Sequence, residues 1–198
     1  MSNNDSFRWF FCSGNQLTTI DVSDIYELKR FACSFNKLST LDISNNPGLT
    51  SLGCDRCELT GLDLSNIPAL LYLACSENQL AALDLSKNIL LLGLYCMDNQ
   101  LGDLDLTANS KLEELICFNN LLNTINVNDM LSLRDLACGG NQLTTLDISR
   151  NSSLRNLYLR EMPSLSEVCV WTMPFPPNGV YVEMDGSPNV NFTTECSK

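Results

Sequence analysis

Histidine is missing from all 198 residues of the chain. Ser-His-Asp and Cys-His catalysis, histidine metal sites and imidazole pH switches are therefore excluded. Positive charge is scarce as well: 12 Lys and Arg stand against 23 Asp and Glu, a net charge of −11. Nothing offsets repulsion by phosphate, so neither a nucleic acid nor an anionic membrane is expected as partner, and no membrane insertion is expected. Cysteine is present at ten residues, below the roughly 8–10% of the chain that marks a small disulfide scaffold. What is plentiful is apolar material, 44% of the chain, enough for one continuous core.

That material is strictly periodic. Phe7, Leu28, Leu49, Leu70, Leu91, Leu112, Leu133 and Leu154 recur every 21 residues without insertion. Three positions on come Phe10, Phe31, Leu52, Leu73, Leu94, Leu115, Leu136 and Leu157, and two further on a cysteine column runs from Cys12 to Cys138. An asparagine column follows from Asn15 to Asn141, broken once by Cys57. The unit reads LxxLxCxxNxLxxLDLSxNxx, and seven full copies cover residues 7–153. In Leu-x-x-Leu-x-Cys the second Leu and the Cys are two apart and share one face of a short strand. A unit of this length holds one coil of a flattened solenoid, its strand stacked in parallel on the next at about 4.8 Å. The LxxLDLS half has the same apolar spacing and predicts a weaker strand or an extended turn on the opposite side. Asn, Ser, Asp, Pro and Gly cluster between the halves, as at Ser44-Asn45-Asn46-Pro47-Gly48, and signal turns.

The first eleven residues of the unit match L-x-x-L-x-L-x-x-N/C-x-L, with Cys in the third apolar slot. The sequence resembles the leucine-rich repeat family, most closely bacterial surface proteins in which both halves read LxxLxL. The resemblance covers about three-quarters of the chain. It implies a right-handed β-solenoid of about eight coils, built on a parallel sheet with little helix and closed by a C-terminal cap. The segment from Leu154 to Ser164 aligns better with the second half-unit, so the solenoid is expected to skip half a coil there. Residues 1–6 then form a tail, 7–164 the solenoid, and 165–198 the last coil and cap. Pro174-Phe175-Pro176-Pro177 interrupts the stacking, and Gly179–Glu183 reads as a closing strand. Secreted members of the family end similarly, with a Cys on the last coil and another in the tail, which implies a Cys169–Cys196 disulfide.

No cap precedes Phe7, and Phe7, Trp9, Phe10 and Phe11 give the first coil an apolar edge suited to edge-to-edge pairing. The first six residues are polar, and no apolar leader segment follows. The chain is either cytoplasmic or a trimmed mature fragment with an added Met. The second is favoured, because natural solenoids rarely start uncapped.

The repeated columns read as scaffold. Cys54-Asp55-Arg56-Cys57 is the single CxxC and has no second pair to complete a zinc site. The cysteine column reads as buried thiols acting as small hydrophobes, and the asparagines as amides satisfying backbone where the strand turns. The aspartates Asp21, Asp42, Asp63, Asp84, Asp105 and Asp147 read as caps for turn N–H and hydroxyl groups, with calcium as the sharper alternative. No cofactor is expected. Function is sought where the repeat breaks. Tyr72, Tyr95, Met97, Ile116 and Phe118 should line up as an apolar and aromatic strip on the concave sheet, with Glu113 and Glu114 beside it. Such a patch is the usual mark of a partner site. The expected role is a non-catalytic module for protein recognition or adhesion, with a glycan-binding surface protein or a structural spacer as rivals. The resemblance implies secretion or attachment to a bacterial surface.

Overall fold

A computed structural model describes residues 7–196; the six residues read as an N-terminal tail lie outside it. Twelve three-residue strands pair only in parallel, and the described residues contain no helix. They are β1 (Trp9–Phe11), β2 (Arg30–Ala32), β3 (Ser51–Gly53), β4 (Tyr72–Ala74), β5 (Gly93–Tyr95), β6 (Glu114–Ile116), β7 (Asp135–Ala137), β8 (Thr145–Asp147), β9 (Asn156–Tyr158), β10 (Glu167–Cys169), β11 (Tyr181–Glu183) and β12 (Asn191–Thr193). Nine form the main parallel sheet, in the order β1-β2-β3-β4-β5-β6-β7-β9-β11, and β12-β10-β8 form a second sheet.

Register follows the repeat. Phe10 lies opposite Phe31, Leu52 opposite Leu73, and Leu115 opposite Leu136, so each central residue stacks on its counterpart one unit away. The second half-units make a strand only at the C-terminal end, where β8, β10 and β12 pair. Elsewhere they are extended and end in two consecutive turns, such as Asn46 N–H to Ile43 C=O and Leu49 N–H to Asn46 C=O.

One expectation is corrected. No half-coil is skipped: Leu157 pairs with Leu136, which places residues 156–158 in the main sheet. The half-unit reading failed because Leu-x-x-Leu-x-Leu fits both halves, and only the strand ladder separates them. The main sheet of nine strands agrees with the solenoid of about eight coils read from sequence; β11 follows β9, with Val182 opposite Leu157. That longer coil contains the proline segment, with Trp171 and Phe175 edge to face at 5.2 Å and Phe175 4.8 Å from Phe192. Cys169 and Cys196 form a disulfide that ties the C-terminal end to β10. At the other end β1 pairs, among the described residues, with β2 alone and shows Trp9 and Phe11 to solvent.

The core is one column of Leu, Ile, Val and Cys side chains along the solenoid. Cys33, Cys54, Cys75, Cys96, Cys117 and Cys138 are wholly buried and unbridged. Burial pushes the Cys75, Cys96 and Cys117 thiols well above their ordinary range and raises Cys138 to about 12. The asparagines join coils through backbone. Asn99 Oδ1 accepts from Leu80 N–H at 3.0 Å, while Nδ2 donates to Cys75 C=O at 3.1 Å and Cys96 C=O at 3.2 Å. A second asparagine set, Asn46, Asn88, Asn109 and Asn151, is also fully buried, and its Oδ1 atoms have no hydrogen-bond partner among the described residues. One further column was not read from sequence. Gly14, Phe35, Arg56, Glu77, Asp98, Asn119, Gly140, Glu161 and Gly186 all have positive φ, between 49° and 78°. This left-handed residue turns the chain out of each strand of the main sheet, at a cost of about 1–2 kcal/mol for each non-glycine.

Candidate functional site

In the LxxLDLS half, the aspartates turn back on their own loops. Asp42 Oδ1 accepts from Ser44 N–H at 3.0 Å and from its hydroxyl at 2.7 Å. Asp21, Asp63, Asp84, Asp105 and Asp147 accept a backbone N–H two residues on in the same way, and Asn126 does so where the column changes. These bonds hold the carboxyls of Asp21, Asp42, Asp63, Asp84 and Asp105 below their usual range. Among the described residues, one group of acidic and sulfur side chains is close enough to share an ion: Asp147, Cys169 and Cys196. Both of its sulfurs are committed to the disulfide.

The main sheet's outer face is where the repeat breaks. Small residues dominate β2, β3 and β4 at the position after the central apolar residue, with Ala32, Gly53 and Ala74. Tyr95 and Ile116 replace them on β5 and β6. Tyr72 lies one strand back and one column over, and the two tyrosine rings both lie against Gly93. A Cβ on Gly93 would stand 2.9 Å from the Tyr72 ring and 3.2 Å from the Tyr95 ring. The Tyr95 hydroxyl donates to Glu114 on the next strand. Burial, and then this carboxylate, hold the Tyr95 phenol well above its ordinary range. Glu113 pairs with Arg134 at 3.1 Å. Met97 is half-buried one coil before Phe118 in the same column.

Ile116 and Phe118 form one wall of a pocket of about 390 Å³. Its floor is Ala137, Gly139 and Gly140, and Tyr158 and Arg160 form the opposite wall. The pocket exists because one coil of small residues is flanked by coils with large ones. Gly139 is required there: a Cβ would stand 2.5 Å from the Arg160 backbone oxygen. Arg160 is held by Glu183 at 3.3 Å, and the Tyr158 ring lies 5.8 Å from that of Tyr181. Tyr158 and Arg160 were missed because residues 154–164 were assigned to the second half-unit. An uninterrupted 21-residue count from Leu136 to Leu157 carries the signal that finds them.

No helix of the described residues is long and apolar enough to cross a membrane. No family model matches the chain, and no curated protein does. Among solved structures, it is similar to the functional domain of InlJ from Listeria monocytogenes, described as including a cysteine ladder. That match has a TM-score of 0.75 and 32% identity over 94% of this chain and 46% of the other. A leucine-rich repeat protein of Leptospira interrogans matches with a TM-score of 0.71 and 20% identity, over 96% of this chain and 54% of that one. The leucine-rich repeat ectodomain of the Arabidopsis thaliana receptor kinase GASSHO1/SCHENGEN3, solved in complex with CASPARIAN STRIP INTEGRITY FACTOR 2, matches at 0.66 and 19%. It covers 86% of this chain and 27% of that one. The last two likenesses speak to the fold alone, and the chain spans about half or less of each solved chain.

Proposed function

The chain belongs to the leucine-rich repeat family, and on that premise we propose that it is a non-catalytic recognition module that holds a protein partner against the outer face of its main sheet. The observation that carries this reading is the continuous apolar break in the repeat. It runs from Tyr72 and Tyr95 through Ile116 and Phe118 into the pocket faced by Tyr158. A scaffold role needs no such break, because the buried columns that stack the coils keep nearly the same residue throughout. Aromatic anchors beside a pocket are the arrangement that concentrates binding energy in protein interfaces.

We place the protein outside the cytoplasm, on or released from a bacterial surface, where adhesion is the finer form of this role. The Cys169–Cys196 disulfide supports an oxidising compartment. The other cysteines are compatible with it, since those of the core are shielded from solvent. The test is quantitative capture from surface extracts of neighbouring cells, with the wild type compared against Tyr95→Ser and Phe118→Ser. A partner kept by the wild type and by Asp63→Asn, but lost by both face variants, supports the reading. An unchanged set of captured proteins overturns it.

A further inference from the structure

A second pocket, of about 440 Å³, lies away from the aromatic strip, where the last coils meet the cap. Arg134, Arg155, Ser152, Ser153, Trp171 and Asn178 contribute to its lining, and no carboxylate does. In a chain of net charge −11, a lining whose two charged residues are both arginines stands apart. Backbone pairing explains why the two arginines sit together. Arg155 N–H donates to Arg134 C=O at 2.8 Å, which sets them one above the other on adjacent coils. Like charges at that spacing repel. Glu113 compensates Arg134, while Arg155 makes no ion pair among the described residues. Trp171 is braced by Phe175, which is itself packed on Phe192, so its indole is positioned in advance.

We propose that this pocket binds an anionic sugar, the acidic group of one ring received by Arg155 and Arg134 while the ring rests against Trp171. A carboxylate or sulfate gives the guanidinium fork two oxygens to bind, which makes a charge-assisted pair. The apolar face of a pyranose suits an indole, and the Ser152 hydroxyl and Asn178 amide offer hydrogen bonds to sugar hydroxyls. The site is independent of the protein-binding face, and either can fail alone.

The test is calorimetric titration of the intact chain with an oligouronate, a sulfated oligosaccharide, a neutral oligosaccharide of equal length, and inorganic phosphate. Binding of either acidic oligosaccharide, weakened by added salt and absent for the neutral one, is expected. Arg155→Ala should weaken it by about tenfold or more, and Arg155→Lys by less. Tyr95→Ser and Phe118→Ser should leave it unchanged. Thermal unfolding of the exposed Arg155 variants serves as the folding control. Equal binding of the neutral sugar, indifference to Arg155→Ala, phosphate binding as tight as the oligosaccharides, or no binding at all would each overturn the proposal.

Discussion

Asn99 and Asn88 have the same chemistry and are both buried in neighbouring parts of one coil, yet their removal should have different consequences. Asn99 Oδ1 is the acceptor for the Leu80 N–H, and Nδ2 also donates to the carbonyls of Cys75, Cys96 and Met97. In Asn99→Ala the Leu80 N–H is left buried without a partner, which costs about 1–3 kcal/mol, and three further bonds are lost at a smaller net cost each. With the cavity added, the expected loss is about 3–5 kcal/mol. For a chain of this length that lowers Tm by about 10 °C. Asn88 donates to Leu64 C=O at 3.3 Å and Ile67 C=O at 3.1 Å, but its own Oδ1 has no partner. Both carbonyls also accept a backbone N–H, from Ile67 and Leu70 respectively, so Asn88→Ile orphans nothing. It removes an unpaired oxygen and adds apolar burial, and Ile25, Ile67 and Met130 already occupy this column. The expected change is about 1 kcal/mol or less. Urea unfolding followed by circular dichroism and tryptophan fluorescence measures both. Equal losses for the two variants would refute the assignment of satisfied and unsatisfied amides.

Gly139→Ala should destabilise by about 1–3 kcal/mol, because the added Cβ meets Arg160 backbone atoms at 2.5 and 2.8 Å. Gly102→Ala, which meets nothing within 4 Å, is the matched control in the same thermal assay. Hydrogen bonds from the Ser65 hydroxyl and N–H hold Asp63 below its ordinary value when folded. That stabilisation is complete above the unfolded value of about 3.9 and is lost as pH falls through the folded one. Asp63→Asn, which keeps the cap as Asn126 does but cannot titrate, should flatten the acid limb of a Tm-versus-pH curve. An unchanged limb would contradict the capping role. Native protein treated with iodoacetamide at mild alkaline pH should show no label on Cys75, Cys96 or Cys117, since burial keeps those thiols protonated and covered. Labelling by mass spectrometry at the rate of unfolded protein would show that the coils open.

The 21-residue register by itself determined the solenoid, the direction of its strands and the scaffold role of the cysteine, asparagine and aspartate columns. A structure that stacks identical coils forces identical side chains into identical environments, so the sequence repeats what the backbone needs. Tyr72, Tyr95, Ile116 and Phe118 were visible for the same reason, as departures from that rule. Three features required the tertiary structure. Leu-x-x-Leu-x-Leu fits either half of a coil, and only pairing of Leu157 with Leu136 placed Tyr158 and Arg160 on the face with Phe118. The left-handed column is filled by Phe, Arg, Glu, Asp and Asn as well as Gly, because stacking overrides the local preference that would have marked it. The arginine pocket joins residues from two coils and the cap, and no spacing in the chain announces which loops a solenoid brings side by side at its end.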